Sequence, residues 1–126
     1  MANGIVTQKG REKMVKARAG AITLPPITHM AFGDGGTDAN DVVIAPTTLD
    51  NSLKHELLKA PIDGYTFVSN TTCRYSYRIK KTELGGKIIN EVGLFDSEGD
   101  LVIVKAFGNK DKDDDMEMIF EIDDEF

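Results

Sequence analysis

Oxygen donors crowd the segment Gly33-Asp34-Gly35-Gly36-Thr37-Asp38-Ala39-Asn40-Asp41, and flexible donors of this kind suit calcium. The spacing departs from a helix-loop-helix calcium site, because Ala45 stands where the last acidic ligand counted from Asp34 belongs. Asp34, Asp38 and Asp41 are therefore weak metal candidates, with plain surface-turn chemistry as the alternative. Glu91 is the second candidate. Strand periodicity puts it on the face of Ile89 and Phe95, and an inward carboxylate there must accept backbone hydrogen bonds or meet a cation. If Val92 and Leu94 face inward instead, Glu91 is simply exposed. A general acid needs a second catalytic group, which the sequence does not nominate, so Glu91 reads as a structural latch. Cys73 would need a histidine to act as a nucleophile, and the chain has only His29 and His55. It shares a strand face with Tyr75 and Tyr77, where a small thiol is expected as core. With no phosphate loop, dinucleotide fingerprint or serine elbow, no catalytic residue and no cofactor are expected.

The elements that must position these groups follow from capping and periodicity. Thr7 can cap a helix over 8–19, with Gly20 as its left-handed terminator and Val6, Met14, Ala17 and Ala21 as a narrow apolar stripe. Leu24-Pro25-Pro26 forces an extended passage. A strand over 27–32 then runs into Gly33-Asp34-Gly35-Gly36, and a short apolar run, Val42 to Ala45, follows. Thr48 or Asp50 can cap a second, shorter helix carrying Leu53, Leu57 and Leu58 and closed by Pro61.

Between Tyr65 and Ile79 the alternation puts Tyr65, Phe67, Cys73, Tyr75, Tyr77 and Ile79 on one buried face, with a break at Ser69-Asn70-Thr71. Gly85-Gly86 turns the chain into a strand over 87–95, and Ser97-Glu98-Gly99-Asp100 joins it to a return strand over 101–107. Lys110 to Asp115 reads as a solvated loop, and Met116, Met118, Phe120 and Ile122 as the inward side of a last strand. The expected fold is α+β: a mainly antiparallel sheet with an N-terminal helix and a second short helix packed on it, in one domain over residues 1–126.

Composition narrows the function. A chain of 126 residues, 40% hydrophobic, can bury roughly two-thirds of its unfolded surface, so no staple is needed. The single cysteine excludes an intrachain disulfide and suits a reducing compartment. Leu101-Val102-Ile103-Val104 is the longest aliphatic run, too short to span a bilayer, and the N-terminal stretch lacks the apolar core of a secretory signal. Net charge is −6, against a surface that neutralises nucleic-acid phosphates. Neither nucleic acid nor membrane is an expected partner. Lys9, Arg11, Lys13, Lys16 and Arg18 gather near one end of the sequence, and Asp111, Asp113, Asp114, Asp115 and Glu117 near the other. They make two solvated faces of opposite sign or a pair of docking fields.

Four stretches carry a family resemblance in order: Ile5-Val6-Thr7 with Gly10; Ile27 to Gly35; Leu49 with Asn51; and Asn90 to Asp96 followed by Gly99. Together they resemble the N-terminal domain of the phage tail-collar fibre family, which attaches tail fibres to the baseplate of contractile phage tails and related bacteriocin particles. The resemblance implies structural roles for the motif residues Phe32, Gly33, Asp34, Gly35, Glu91, Gly93, Leu94, Phe95 and Asp96. It also implies a non-enzymatic virion or prophage tail component, assembled in the host cytoplasm, partnered by baseplate or tail-fibre proteins, and oligomeric with three copies favoured. The sequence stops at Phe126 without a receptor-binding extension, so a short adaptor or a fragment is expected, and host recognition by this chain alone is not. The competing expectation is a monomeric calcium- or carbohydrate-binding β domain using the loop from Gly33 to Asp41. An enzyme centred on Glu91 ranks last.

Overall fold

Thr7 starts the helix as its type requires. Its backbone is extended, its Oγ1 accepts the Gly10 N–H at 3.0 Å, and the same hydroxyl donates to the Leu101 carbonyl at 2.7 Å. Helix α1 runs Gln8–Arg18 and ends at Gly20, whose φ of +82° lets its N–H reach the Ala17 carbonyl while Ala21 N–H reaches that of Lys16. Because the Thr7 hydroxyl is fully buried and bonds both ways, Thr7→Ala is expected to cost about 1–2 kcal/mol. Thermal denaturation checks this.

The computed structural model describes residues 4–126. The remaining elements are strands: β1 (Ile5–Val6), β2 (Ile27–Gly33), β3 (Glu56–Pro61), β4 (Gly64–Ser69), β5 (Thr72–Ile79), β6 (Ile88–Asp96), β7 (Leu101–Asp111) and β8 (Met118–Glu125). They form a five-stranded sheet, β1-β7-β6-β2-β3, and a three-stranded sheet, β4-β5-β8, with every neighbouring pair antiparallel. Met30, Phe32, Val92, Leu94 and Ile103 of the larger sheet pack on Tyr77, Ile79, Phe120 and Ile122 of the smaller. A second cluster, Ala31, Leu53, Phe95, Leu101 and Val104, includes one residue of the long β2–β3 connection.

The α+β expectation is overturned. The described residues form a mostly antiparallel β protein with one short helix. The expected second helix does not form. Its leucines divide between an irregular segment, where Leu53 is buried, and β3, whose Leu58 pairs with Phe32. Pairing with a distant strand overrides the local spacing. The expected buried face of β4 and β5 is buried only at Tyr77 and Ile79. Cys73 and Tyr75 are half-buried, and Tyr65 and Phe67 are 61% and 73% exposed. The expected solvated loop is also corrected, because β7 extends to Asp111 and Lys112 is buried. The Lys112 ammonium donates to the Asp113 carbonyl at 2.8 Å.

Candidate functional site: the Glu91 clamp and the loop it holds

β6 is the central strand of its sheet and is buried along both faces, so a carboxylate on it must find partners within the protein. The ladder to β7 shifts register between Ile89 and Glu91, and Ile89 joins the core between the sheets while Phe95 joins the second cluster. Glu91 is 3% exposed. Its Oε2 accepts the N–H groups of Gly35 at 2.8 Å and His55 at 2.9 Å, and its Oε1 accepts that of Lys54 at 2.9 Å. These three amides stand at the two ends of the long excursion between β2 and β3, so one side chain ties both ends of the loop to the central strand. Asp34 adds a hydrogen bond with His55, between Oδ1 and Nδ1, and its N–H meets the His55 carbonyl at 3.1 Å.

Asn90 extends the clamp. Its Oδ1 accepts the Gly36 N–H at 2.7 Å, and its amide nitrogen donates to the Asp34 carbonyl, Thr37 Oγ1 and Asn109 Oδ1. Close approach is what the glycines supply. A Cβ on Gly33 would overlap the His55 carbonyl oxygen, and one on Gly36 would overlap that of Asn90, backbone atoms that cannot swing aside. Gly93 lies under the side chains of Leu101 and Leu53, whose methyl groups a Cβ there would displace.

At the other end of β6, Asp96 does a second job. Its Oδ1 accepts the N–H groups of Glu98 and Asp100, shaping the β6–β7 turn, and its Oδ2 meets Lys13 of α1 at 2.6 Å. Lys13 is buried and also contacts Glu98 at 2.9 Å and Asp100 at 2.7 Å. Burial disfavours the Lys13 charge, but hydrogen bonds to Asp100, Asp96 and Glu98 outweigh it and raise its pKa above the ordinary value. The Lys13 hydrogen bond in turn holds the Asp100 carboxyl below its ordinary range. Among the described residues, Asp96, Glu98 and Asp100 are the one set of carboxylates close enough to share a metal, and the Lys13 ammonium already lies between them.

The weak calcium candidates do not converge. Asp34 turns to His55, Asp38 accepts the Asn40 and Val42 N–H groups in a local turn, and Asp41 accepts from Asn109 at 3.0 Å. The remaining motif residues are packing: Phe32 and Leu94 are fully buried, and Phe95 lies beneath Lys59, whose ammonium is 3.7 Å from the ring centroid. A partly apolar cavity of about 210 Å³ lies elsewhere, between α1 and the passage from Leu24 to Pro26. Sequence reading missed Asn109, which anchors the loop from β7, and Lys13; each works through partners distant in the chain.

The loop held by this clamp presents Val42, Val43, Ile44 and Leu49 to solvent. Thr37 bridges to Val43, and the Thr48 carbonyl accepts the first N–H of α1 at 2.6 Å, so the loop is also tied along its length. No curated protein and no solved structure matches the chain significantly. The family model for the N-terminal part of phage tail-collar fibre proteins matches residues 1–120, nearly the whole sequence and both halves of the clamp. The chain therefore belongs to the phage tail-collar fibre family, whose members are structural components of phage tail fibres.

Proposed function

We propose that this chain is a non-catalytic docking body that attaches a tail fibre to the baseplate of a contractile tail, or serves there as a short adaptor within an oligomer. One observation carries the reading. Glu91, the buried acid that the sequence offered as a reaction centre, has both oxygens committed to three main-chain N–H groups, and those bonds fix a loop whose apolar tip is exposed. Fixing the loop before contact removes ordering entropy that association would otherwise have to overcome. Exposed apolar side chains on a held loop suit a protein partner better than a sugar or an ion. The calcium-dependent alternative would need Asp34, Asp38 and Asp41 to leave their present partners.

The test places aspartate at Val43 and Leu49 together, both solvent-facing. Thermal stability should stay within a few degrees of the parent, since exposed positions away from packing contribute little. Incorporation into tail particles assembled from the neighbouring tail genes should fall at least tenfold. Unchanged incorporation would remove the loop tip as the contact. Turnover of a small molecule that depends on Glu91 would remove the docking reading altogether.

A further inference from the structure

The two sheets have four edge strands among the described residues: β1 and β3 on the larger, β4 and β8 on the smaller. Exposed edges invite pairing with foreign strands and are usually guarded. β1 is only two residues long. β3 carries Glu56, Lys59 and Pro61, and β8 carries Glu121, Asp123, Asp124 and Glu125. β4 reads Gly64-Tyr65-Thr66-Phe67-Val68-Ser69, with no charge and no proline, and its one irregularity is a register shift against β5 between Phe67 and Ser69, at its last residues. Tyr65, Phe67 and Val68 are 61%, 73% and 44% exposed, and the Tyr65 ring lies 5.6 Å from that of Phe67 and 6.2 Å from that of Tyr75. The strand pattern that belongs to a buried face is therefore only partly covered within one copy.

We propose that β4 is an open docking edge and that its occupant is the β4 strand of a second copy, running antiparallel, so that two three-stranded sheets join into one of six. The register follows from side-chain parity. With Thr66 facing Thr66 of the second copy, Tyr65 faces Phe67 and Phe67 faces Tyr65, so the exposed rings meet on one face; the ladder to β5 shifts register between Phe67 and Ser69, so this parity runs from Gly64 to Phe67 and stops there.

Charge favours this edge over the others. Each copy carries a net −6, and pairing through β8 would bring carboxylates together, whereas β4 itself carries no charge. The partly exposed rings, the Val68 side chains and the two backbone edges would bury on the order of 1,000 Å², the lower limit for a specific interface. The contact is accordingly weak and concentration-dependent. Being isologous, it adds copies in pairs whatever symmetry holds elsewhere in a particle. It rests on the sheet edges alone and does not depend on the tail role.

The experiment uses the full chain with Cys73→Ser and one new cysteine. Facing residues of an antiparallel pair have Cα atoms about 4.5–5.5 Å apart, within disulfide range. Thr66→Cys should give a disulfide-linked dimer under mild oxidation at tens of micromolar, at least tenfold faster than Val68→Cys, which lies at the register shift and faces no second cysteine. Sedimentation of the cysteine-free chain should show a reversible dimer that Tyr65→Lys with Phe67→Lys reduces to monomer without a shift in melting temperature. Equal cross-linking at both positions would overturn the register and with it the proposal. A chain that stays monomeric at near-millimolar concentration, or one whose β4 amides gain protection only on adding a different tail protein, would overturn the second copy as occupant.

Discussion

Glu91→Ala is expected to lower the folding free energy by roughly 3–5 kcal/mol, a large part of the whole for a domain of this size. The substitution leaves the Gly35, Lys54 and His55 N–H groups without their acceptor. An orphaned buried donor costs about 1–3 kcal/mol, and water entering beside exposed Lys54 and His55 returns part of it. In thermal denaturation the melting temperature should fall by about 10 °C or more. Glu91→Gln is the informative companion: it keeps one carbonyl oxygen but turns an amide donor toward a backbone donor, so it should recover less than half of the loss. A loss under about 1 kcal/mol for alanine would mean that the clamp is ornamental to the fold.

Lys13→Met should cost a similar amount, about 3–5 kcal/mol, because Asp96 is left buried beside Glu98 and Asp100 with no cation. The effect carries a pH signature. The Asp100 pKa is depressed by Lys13, so its share of stability is present above the ordinary value of 3.8 and is lost as pH falls through the folded value. The Lys13 pKa is raised, so its share is present below the ordinary 10.5 and is lost as pH rises through the folded value. The difference between parent and variant should be widest between those limits. It should narrow below the carboxylate range, where protonation also relieves repulsion in the variant. Urea denaturation across pH reads both arms, and a difference that does not change with pH would contradict the charge-cluster account.

Capping and periodicity made several elements legible. Thr7 and Gly20 bracket α1, the alternation of Met118, Phe120 and Ile122 marks β8, and the tract from Asn90 to Asp96 is the central strand with its turn. What escaped depends on partners far along the chain. Leu53, Leu57 and Leu58 have helical spacing, yet Leu58 answers to Phe32 across the sheet, which local sequence does not encode. Lys13 looks like one basic residue among five, and only the β6–β7 turn makes it a buried ion. Tyr65 and Phe67 fit a core pattern because their face continues that of Tyr77 and Ile79, but neither joins the core between the sheets and both stay exposed. At the candidate site, Glu91 could be recognised as a group in need of partners, while the identity of those partners required the fold.

Hydrogen exchange at the amides of Gly35, Lys54 and His55 tests the clamp most directly. These N–H groups lie at the ends of a long, largely exposed connection, where fast exchange would be ordinary. The clamp predicts protection comparable to that of the central strand β6, collapsing toward loop-like rates in Glu91→Gln while β5 amides stay protected. Loop-like exchange at these three positions in the parent protein would contradict it.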